Sequence, residues 1–438
     1  MDQKLIGRSI KWYNHYMTDQ KEKNRKKIAA FFETGSKKDS GCDRIGLELE
    51  HFIVDKDTGK SVFYYGEKGI EAILKGLSPR YEEEIISDGH LIGLKKSDCT
   101  VTLEPGAQLE LSIAPAKSLK SIMDIQRGFI EDLSVLTDPL GYKIVCLGYR
   151  EKDKVEEIPL IPKNRYRNMD AHFKKTGTMG RNMMRGTGAS QVSIDYRDEE
   201  DFRKKFRAAC FISPLFALVA DNAPFFEGET YKKNTLRQRI WQNVDDARAG
   251  IPWVIDEPDF GFLRYAEYIS KVPLIVHGDH DDSYTTKIVD EIYSEREIKN
   301  NEIAHAASMV FPDVRLVKYI EIRVGDSMPI DMSISYAAMI KGLFLNEKWL
   351  DIQEDRFRGL CAADIKKAKK EIEEKGYDAE VYDMPICEML DELVCHMSIK
   401  LPRDEKHYTD IMSDMIRKRQ NPAMIKIKND KNKRAYKR

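Results

Sequence analysis

No stretch of this 438-residue sequence approaches the roughly 18 consecutive apolar residues that a membrane-spanning helix needs, so neither an integral membrane protein nor a membrane partner is expected. The opening residues, Met1 to Tyr16, lack both a continuous apolar run and a small-residue cleavage site, which argues against secretion. An excess of one charge is missing too: 72 Lys and Arg stand against 73 Asp and Glu, a formal net charge of −1. Dedicated nucleic-acid binders usually carry a strong basic excess, so no nucleic-acid partner is expected. Cysteines are few and irregular. The seven residues Cys42, Cys99, Cys146, Cys210, Cys361, Cys387 and Cys395 form no CxxC pair, which disfavours a disulfide framework or a cysteine-rich zinc site and points to a reducing cytoplasm. Also missing are a GxxxxGK[ST] phosphate loop, an HExxH zinc motif, a GxSxG nucleophile elbow, an internal repeat and a long Pro/Gly/Ser linker.

What is present is a hydrophobic share of 42% and a charged share of 33%, enough to build a sizeable core. Residues 1–40 read as a charged N-terminal helical segment, with Ile6, Ile10, Tyr13 and Met17 at helical spacing and Ile28, Ala29, Phe31 and Phe32 after a basic run whose charges read as a solvated face. Residues 41–420 read as one interwoven α+β catalytic body that turns helical from about residue 330. Residues 421–438 read as a frayed basic tail. Within the body, Ile45 to Val54 alternates as a strand does, and the turn Asp55 to Lys60 leads to a possible hairpin return at Ser61 to Tyr65. Helices are expected at Ile70 to Leu77, Leu119 to Leu136, Arg165 to Phe173, Glu199 to Asp221, Asn300 to Met309 and Ala362 to Lys375. Strands are expected near Glu83, Leu91, Val101 to Ile113, Tyr142, Ala189 to Tyr196 and Leu316 to Arg323.

The informative feature is a set of acids where a strand would otherwise place hydrophobes. Glu48 and Glu50 are two apart on one strand, so their carboxylates project from one face about 7 Å apart. Glu104 and Glu110 are an even spacing apart on the next strand pair. A late strand puts Tyr319, Glu321 and Arg323 on one face. Such a cluster repels itself unless divalent cations neutralise it, and hard oxygen ligands select Mg²⁺ or Mn²⁺, which commonly bridge to nucleotide phosphates. Arg237, Arg248, Arg315 and Arg323 are available as clamps for phosphate or carboxylate. Gln191, Ser193 and Asp195 share another strand face that could line the same polar surface, although an alternating strand with one wet face explains them equally well.

Several segments resemble the glutamate–cysteine ligases of the plant and proteobacterial type. Arg44-Ile45-Gly46-Leu47-Glu48-Leu49-Glu50-His51-Phe52 is similar to the family's G-x-E-x-E strand. Leu103-Glu104-Pro105-Gly106-Ala107-Gln108-Leu109-Glu110-Leu111-Ser112 is similar to its L-E-P-G-G-Q-x-E-L-S segment. Met183-Met184-Arg185 through Gln191-Val192-Ser193-Ile194-Asp195, then Ile240-Trp241 with Asp245 and Arg248-Ala249-Gly250, follow in order. Phe262 to Pro273 and His305 through Glu321-Ile322-Arg323 complete a series reaching from about Gly41 to Pro329. The resemblance implies a glutamine-synthetase-like α+β fold, a curved antiparallel sheet forming a funnel with helices packed outside. It implies ATP as cosubstrate, Mg²⁺ (or Mn²⁺) as cofactor, and small-molecule substrates: glutamate, and cysteine or another amine. Self-association into a homo-oligomer is left open. By the same resemblance Glu48, Glu50, Glu104, Glu110 and Glu321 would hold the metal. Arg323, Glu50 and Glu321 would be catalytic, with Arg323 on the transferring phosphoryl group. Arg237, Arg248, Gln191, Ser193 and Gln108 would contact substrate or nucleotide.

The sequence departs from the family pattern at several positions, some of them in loops and none at the acids. Ser193 replaces an asparagine, Gly186-Thr187-Gly188 replaces R-T-C, Ala107 replaces a glycine, and the family's M-R-G-A-D-G-G-P becomes Ile322-Arg323-Val324-Gly325-Asp326-Ser327-Met328-Pro329. Three other readings follow: a ligase with another acid or amine, a guanidino kinase by analogy of fold, and a non-catalytic protein that binds ATP and metal.

Overall fold

A computed structural model describes residues 19–37, 42–278 and 283–435, and the side chains up to residue 430. The helical spacing read at Ile6, Ile10, Tyr13 and Met17 lies outside the described residues. Helix α1 (residues 19–33) opens the described chain, and its Ile28, Phe31 and Phe32 are buried in the common core. Part of its basic face is engaged rather than solvated, because Arg25 pairs with Asp290 and Lys27 with Glu297.

The centre is a nine-stranded sheet in which every pairing is antiparallel. Its first strands are β1 (Ile45–Asp55), β2 (Glu83–Ser87), β3 (His90–Lys95), β4 (Cys99–Leu103), β5 (Leu109–Ala116), β6 (Tyr142–Val145) and β7 (Ser190–Ile194). Across the sheet the order is Val314–Leu316, Ile320–Ile322, β7, β1, β5, β4, β3, β2, with β6 pairing the far end of β1. The expected single strand from Leu316 to Arg323 is instead a hairpin of two short strands, turning at Val317 to Tyr319. The expected return at Ser61 to Tyr65 reduces to one bridge between Val54 and Ser61.

Alternation decides the two faces. Leu47, Leu49, Leu109, Leu111, Val192, Ile194, Ile320 and Ile322 turn to one side and are buried in the core. Onto the sheet pack α2 (Ile70–Leu77), α3 (Leu119–Thr137), α6 (Glu199–Val219) and the helix Ile330–Phe344. The N-termini of α3 and α6 are capped by Ser118 and Asp198, whose side chains accept from the backbone N–H of Ser121 and Asp201. The other face carries the acids, and α4 (Asn164–Thr176), α5 (Gly180–Gly186) and α7 (Leu236–Trp241) stand over it. The expected α+β body with helices around an antiparallel sheet is therefore present.

The C-terminal segment differs from the expected frayed tail. A helix runs from Pro422 to Ala435, and its base is docked: the Ala423 N–H donates to the Asp221 carbonyl at 2.9 Å, and the buried Asn421 side chain donates to the Leu218 carbonyl at 3.1 Å.

Candidate active site

The register of β1 places the acids. Glu50 sits opposite Glu110 of β5, and Glu110 opposite Thr102 of β4, while Glu48 lies between Ser112 of β5 and Gln191 of β7. Two carboxylates held side by side destabilise a sheet unless something neutralises them. Glu104 joins them from the turn after β4, where its N–H donates to the Gln108 carbonyl at 2.9 Å and its carbonyl accepts from Ala107 at 2.8 Å. Glu48, Glu50, Glu104 and Glu110 line a cavity of about 290 Å³, with Gln191 beside them and Lys163, Arg165, Arg237, Arg315 and Arg323 around them. Tyr166, Met169, Met183, Met184 and Trp241 form the wall over the sheet.

The electrostatics follow from burial. Burial first, and the neighbouring carboxylates second, push Glu48 and Glu50 well above the ordinary carboxylate range. Glu104 is raised for the first of these reasons, with Lys163 and Arg323 opposing. Glu110 is pushed up to about 7, although Ser112 and Thr102 donate hydrogen bonds to it at 3.1 and 3.2 Å. Glu321 goes the other way. Burial would raise it too, but Arg315 and Arg323 outweigh burial and hold it at about 2.

These carboxyls are hard oxygen donors that need a cation to remain ionised together, which suits Mg²⁺ or Mn²⁺. They do not form a closed cage: among the described residues no three acidic, histidine or cysteine side chains are grouped so as to hold an ion alone. Magnesium usually takes one or two carboxylates and completes its shell with water and phosphate oxygens, so an open set of acids beside five cationic side chains fits it.

Several expected residues stand elsewhere or are already committed. Glu321 is fully buried and is not in the cavity wall; Arg315 grips it through two nitrogens at 2.8 and 3.1 Å, and Arg323 donates to it at 2.8 Å. Arg248 does not reach the cavity. It is 1% exposed and donates to Asp245 at 2.6 Å and to the Met309 carbonyl at 3.0 Å, with His172 completing a buried structural network. Gln108 lines the cavity, but its amide holds the turn together, accepting from Gly106 and donating to the Thr187 carbonyl, both at 2.9 Å. Ser193 lies on the acidic face between Gly46 and Glu321 without lining the cavity. Gln191 and Arg237 do line it. Lys163, Arg165 and Tyr166, which reasoning from the sequence missed, come from the start of α4 and carry no motif; only the tertiary approach of α4 to Glu104 marks them.

Residues 44–427 match the family model described as glutamate-cysteine ligase family 2. The chain belongs to that family. Among curated relatives, it is 31% identical over 332 residues to glutamate–cysteine ligase B, chloroplastic, of Oryza sativa subsp. japonica, an alignment covering 72% of this chain and 66% of that one. It is 30% identical over 324 residues to the chloroplastic glutamate–cysteine ligase of Arabidopsis thaliana, covering 70% of this chain and 61% of the relative. The chain thus spans about two thirds of these relatives' length. Among solved structures, the glutamate–cysteine ligase of Francisella tularensis in complex with AMP superposes with a TM-score of 0.54 over 88% of this chain and 84% of that one, at 12% identity, a likeness of fold. As in the sequence comparison, what this glutamate–cysteine ligase family member shares with its relatives runs through the whole sheet, from before β1 to beyond the Ile320–Ile322 strand.

Proposed function

We propose that this protein joins the γ-carboxylate of glutamate to the amine of cysteine at the expense of ATP. The observation that carries the reading is the cavity itself: three glutamate carboxyls on one sheet face and a fourth, Glu104, from the turn after β4, ringed by five cationic side chains, in a chain of this family. The reaction has two steps. A γ-carboxylate oxygen attacks the terminal phosphorus of ATP and ADP leaves; the amine nitrogen then attacks the acyl carbon, loses its proton and expels inorganic phosphate, giving γ-glutamylcysteine. Both steps need positioning and neutralisation of charge more than covalent help from the protein. Mg²⁺ or Mn²⁺ held by Glu48, Glu50, Glu104 and Glu110 would supply Lewis-acid neutralisation of the phosphate oxygens. In this reading Arg323, in the cavity wall with Arg315 beside it, would donate to the transferring phosphoryl group. Glu321, behind the cavity wall, holds Arg315 and Arg323 in place for that task. Gln191 and Arg237 orient the substrates. The reading keeps the chain in a reducing cytoplasm, in keeping with its unpaired cysteines.

A second reading changes only the amine. An outer basin of about 1010 Å³ shares Lys163 and Arg165 with the carboxylate cavity; Lys299 also lines it, and so does Arg296, which is paired there with Glu302. That is more room than cysteine needs, and it favours a larger acceptor.

The deciding experiment is phosphate release from Mg·ATP by the purified protein with glutamate and a panel of amines, the products being identified by mass spectrometry. A cysteine-dependent γ-glutamylcysteine peak is expected. Turnover with another amine alone would move the assignment to the second reading, and no phosphate release with any pair would overturn both.

A further inference from the structure

Arg150, in the stretch between β6 and α4, is 2% exposed, and among the described residues no carboxylate forms an ion pair with it. Its guanidinium holds main-chain carbonyls instead. Nε donates to the Arg185 carbonyl at 2.8 Å and Nη2 to the Gly106 carbonyl, and the Phe52 ring centre lies 4.5 Å from Cζ. A buried charge without a paired acid is unfavourable. Burial, opposed in part by Asp153, lowers the Arg150 pKa to about 10, so the group is still a cation at neutral pH.

The two carbonyls belong to different walls of the carboxylate cavity. Gly106 is in the turn that carries Glu104 and Gln108. Arg185 is near the end of α5, whose Met183 and Met184 line the cavity, as does Thr187 just beyond it. The last carbonyls of a helix have no partner within it. At the end of α5 they are taken one after another. The Thr187 hydroxyl donates to the Met183 carbonyl at 2.7 Å and the Gln108 amide to the Met184 carbonyl at 3.3 Å. Arg150 takes the next two, with Nε on Arg185 and its own N–H on the Gly186 carbonyl at 2.9 Å. On the turn side, the Gly106 N–H donates to the Gln108 side chain at 2.9 Å, so the peptides before and after Gly106 are gripped by Gln108 and Arg150 respectively. Gln108 ties the walls from within the turn, whereas Arg150 ties them from a third segment. The planar fork of a guanidinium fixes the spacing of two acceptors, which a single ammonium does not.

We propose that Arg150 is a positioning residue for the acidic cluster: by bridging the Gly106 and Arg185 carbonyls it fixes the turn of Glu104 against α5, and so sets where Glu104 stands among the cation-holding carboxylates. The inference rests on the reading of those acids as a divalent-cation site of a ligase. Arg150 touches neither metal nor substrate and acts through the turn alone.

The test compares wild type with Arg150→Ala, and with Arg150→Lys should the alanine variant fail to fold by circular dichroism. Titration with Mn²⁺, followed by loss of the paramagnetic resonance signal of the free ion, reads the acids without turnover. Affinity for Mn²⁺ is expected to fall about tenfold or more, and the Mn²⁺ concentration giving half-maximal phosphate release should rise by a similar factor. Phe32→Ala, which weakens the fold far from the cavity, is the control and should stay within about twofold of wild type. A pocket of about 80 Å³, lined by Arg150, Phe52 and Asp153 among others, opens the position to a small molecule. Ethylguanidinium, the part of the side chain that alanine lacks, should therefore restore Mn²⁺ affinity to Arg150→Ala. Equal restoration by propylammonium would overturn the bridging role. Unchanged Mn²⁺ affinity in a folded Arg150 variant, or an equal loss in Phe32→Ala, would overturn the proposal while leaving the ligase reading intact. Wild type that binds no Mn²⁺ would overturn the proposal together with the cation site. The expected loss of Mn²⁺ affinity in a chain that releases no phosphate would refute the ligase reading and support the positioning role.

Discussion

At the scale of single residues, the site is a set of charges held where they would not choose to be. Glu50 and Glu110 face each other across β1 and β5, both buried enough to resist ionisation. Glu50→Gln removes one of the two. Turnover is expected to fall at least about a hundredfold, because the change strips a ligand from the charge-neutralising set. The melting temperature of the metal-free variant is expected to rise, because the cost of burying an ionisable carboxyl, and with it the repulsion from Glu104 and Glu110, is removed. Phosphate-release assays and scanning calorimetry in EDTA check both, and wild-type-like activity would remove Glu50 from the site. A second acid lies behind the cavity. Asp326 is pushed up to about 8, by burial first and by the neighbouring Asp221 second, whereas an unfolded aspartate titrates near 4. The folded state thus keeps a proton that the unfolded chain has released. This contribution is complete below about pH 4 and is lost as pH rises through 8, a slope of up to about 1.4 kcal/mol per pH unit. Asp326→Asn abolishes that slope, so its melting temperature should gain on wild type between pH 5 and pH 8.5. A gap that does not change with pH would show that Asp326 is ionised in the fold.

At the scale of elements, the turn between β4 and β5 shows how closely backbone can be packed to aim two carboxylates. A methyl group at Gly106 would lie 2.6 Å from the Arg185 carbonyl oxygen and 2.9 Å from its Cα, both main-chain atoms that cannot step aside. Ala107, next to it, already occupies left-handed backbone at φ 65°. Gly106→Ala is therefore expected to cost about 3 kcal/mol or more and to displace Glu104. Ala107→Gly should stay within about 1 kcal/mol of wild type, since relief of strain offsets the entropy of glycine and the loss of a buried methyl. Urea titrations of the two variants make the comparison, and equal destabilisation would show that the turn is not constrained as described. The hairpin of Val314–Leu316 and Ile320–Ile322 does similar work, because its antiparallel register sets Arg315 opposite Glu321.

At the scale of the whole molecule, one hydrophobic core runs from α1 to the C-terminal helices, so distant stretches of chain support a single site. Phe32 of α1 is fully buried, packs edge-on against Tyr265 with ring centroids 5.4 Å apart, and offers its carbonyl to the Tyr196 hydroxyl. Phe32→Ala is expected to lower stability by about 3–5 kcal/mol while unfolding stays a single transition, as followed by fluorescence and circular dichroism together. Two separate transitions would mean that α1 packs as an appendage. Asn24 ties the same helix to the segment before Asn300, donating to the Tyr293 and Arg296 carbonyls at 2.8 and 3.0 Å.

Much of this was legible in order of residues. Alternating polarity identified β1, β5 and β7, and helical spacing identified α2, α3 and the helix Ala362–Lys375, because those signals depend only on neighbours along the chain. The same alternation assigned Glu48, Glu50 and Glu110 to one face. Arg248 was misjudged because sequence shows a guanidinium and not the Asp245 and His172 that close around it. Lys163, Arg165 and Tyr166 were invisible because nothing local distinguishes the start of α4 from any other helix start. The sequence by itself determined which residues alternate and which acids share a face, since both are matters of spacing, and its segments carry the family resemblance in their residue identities. Tertiary structure alone decided that Glu321 is locked between two arginines and that Lys163 and Arg165 reach the acids from the start of α4, because pairing and burial are properties of what arrives from elsewhere in the chain.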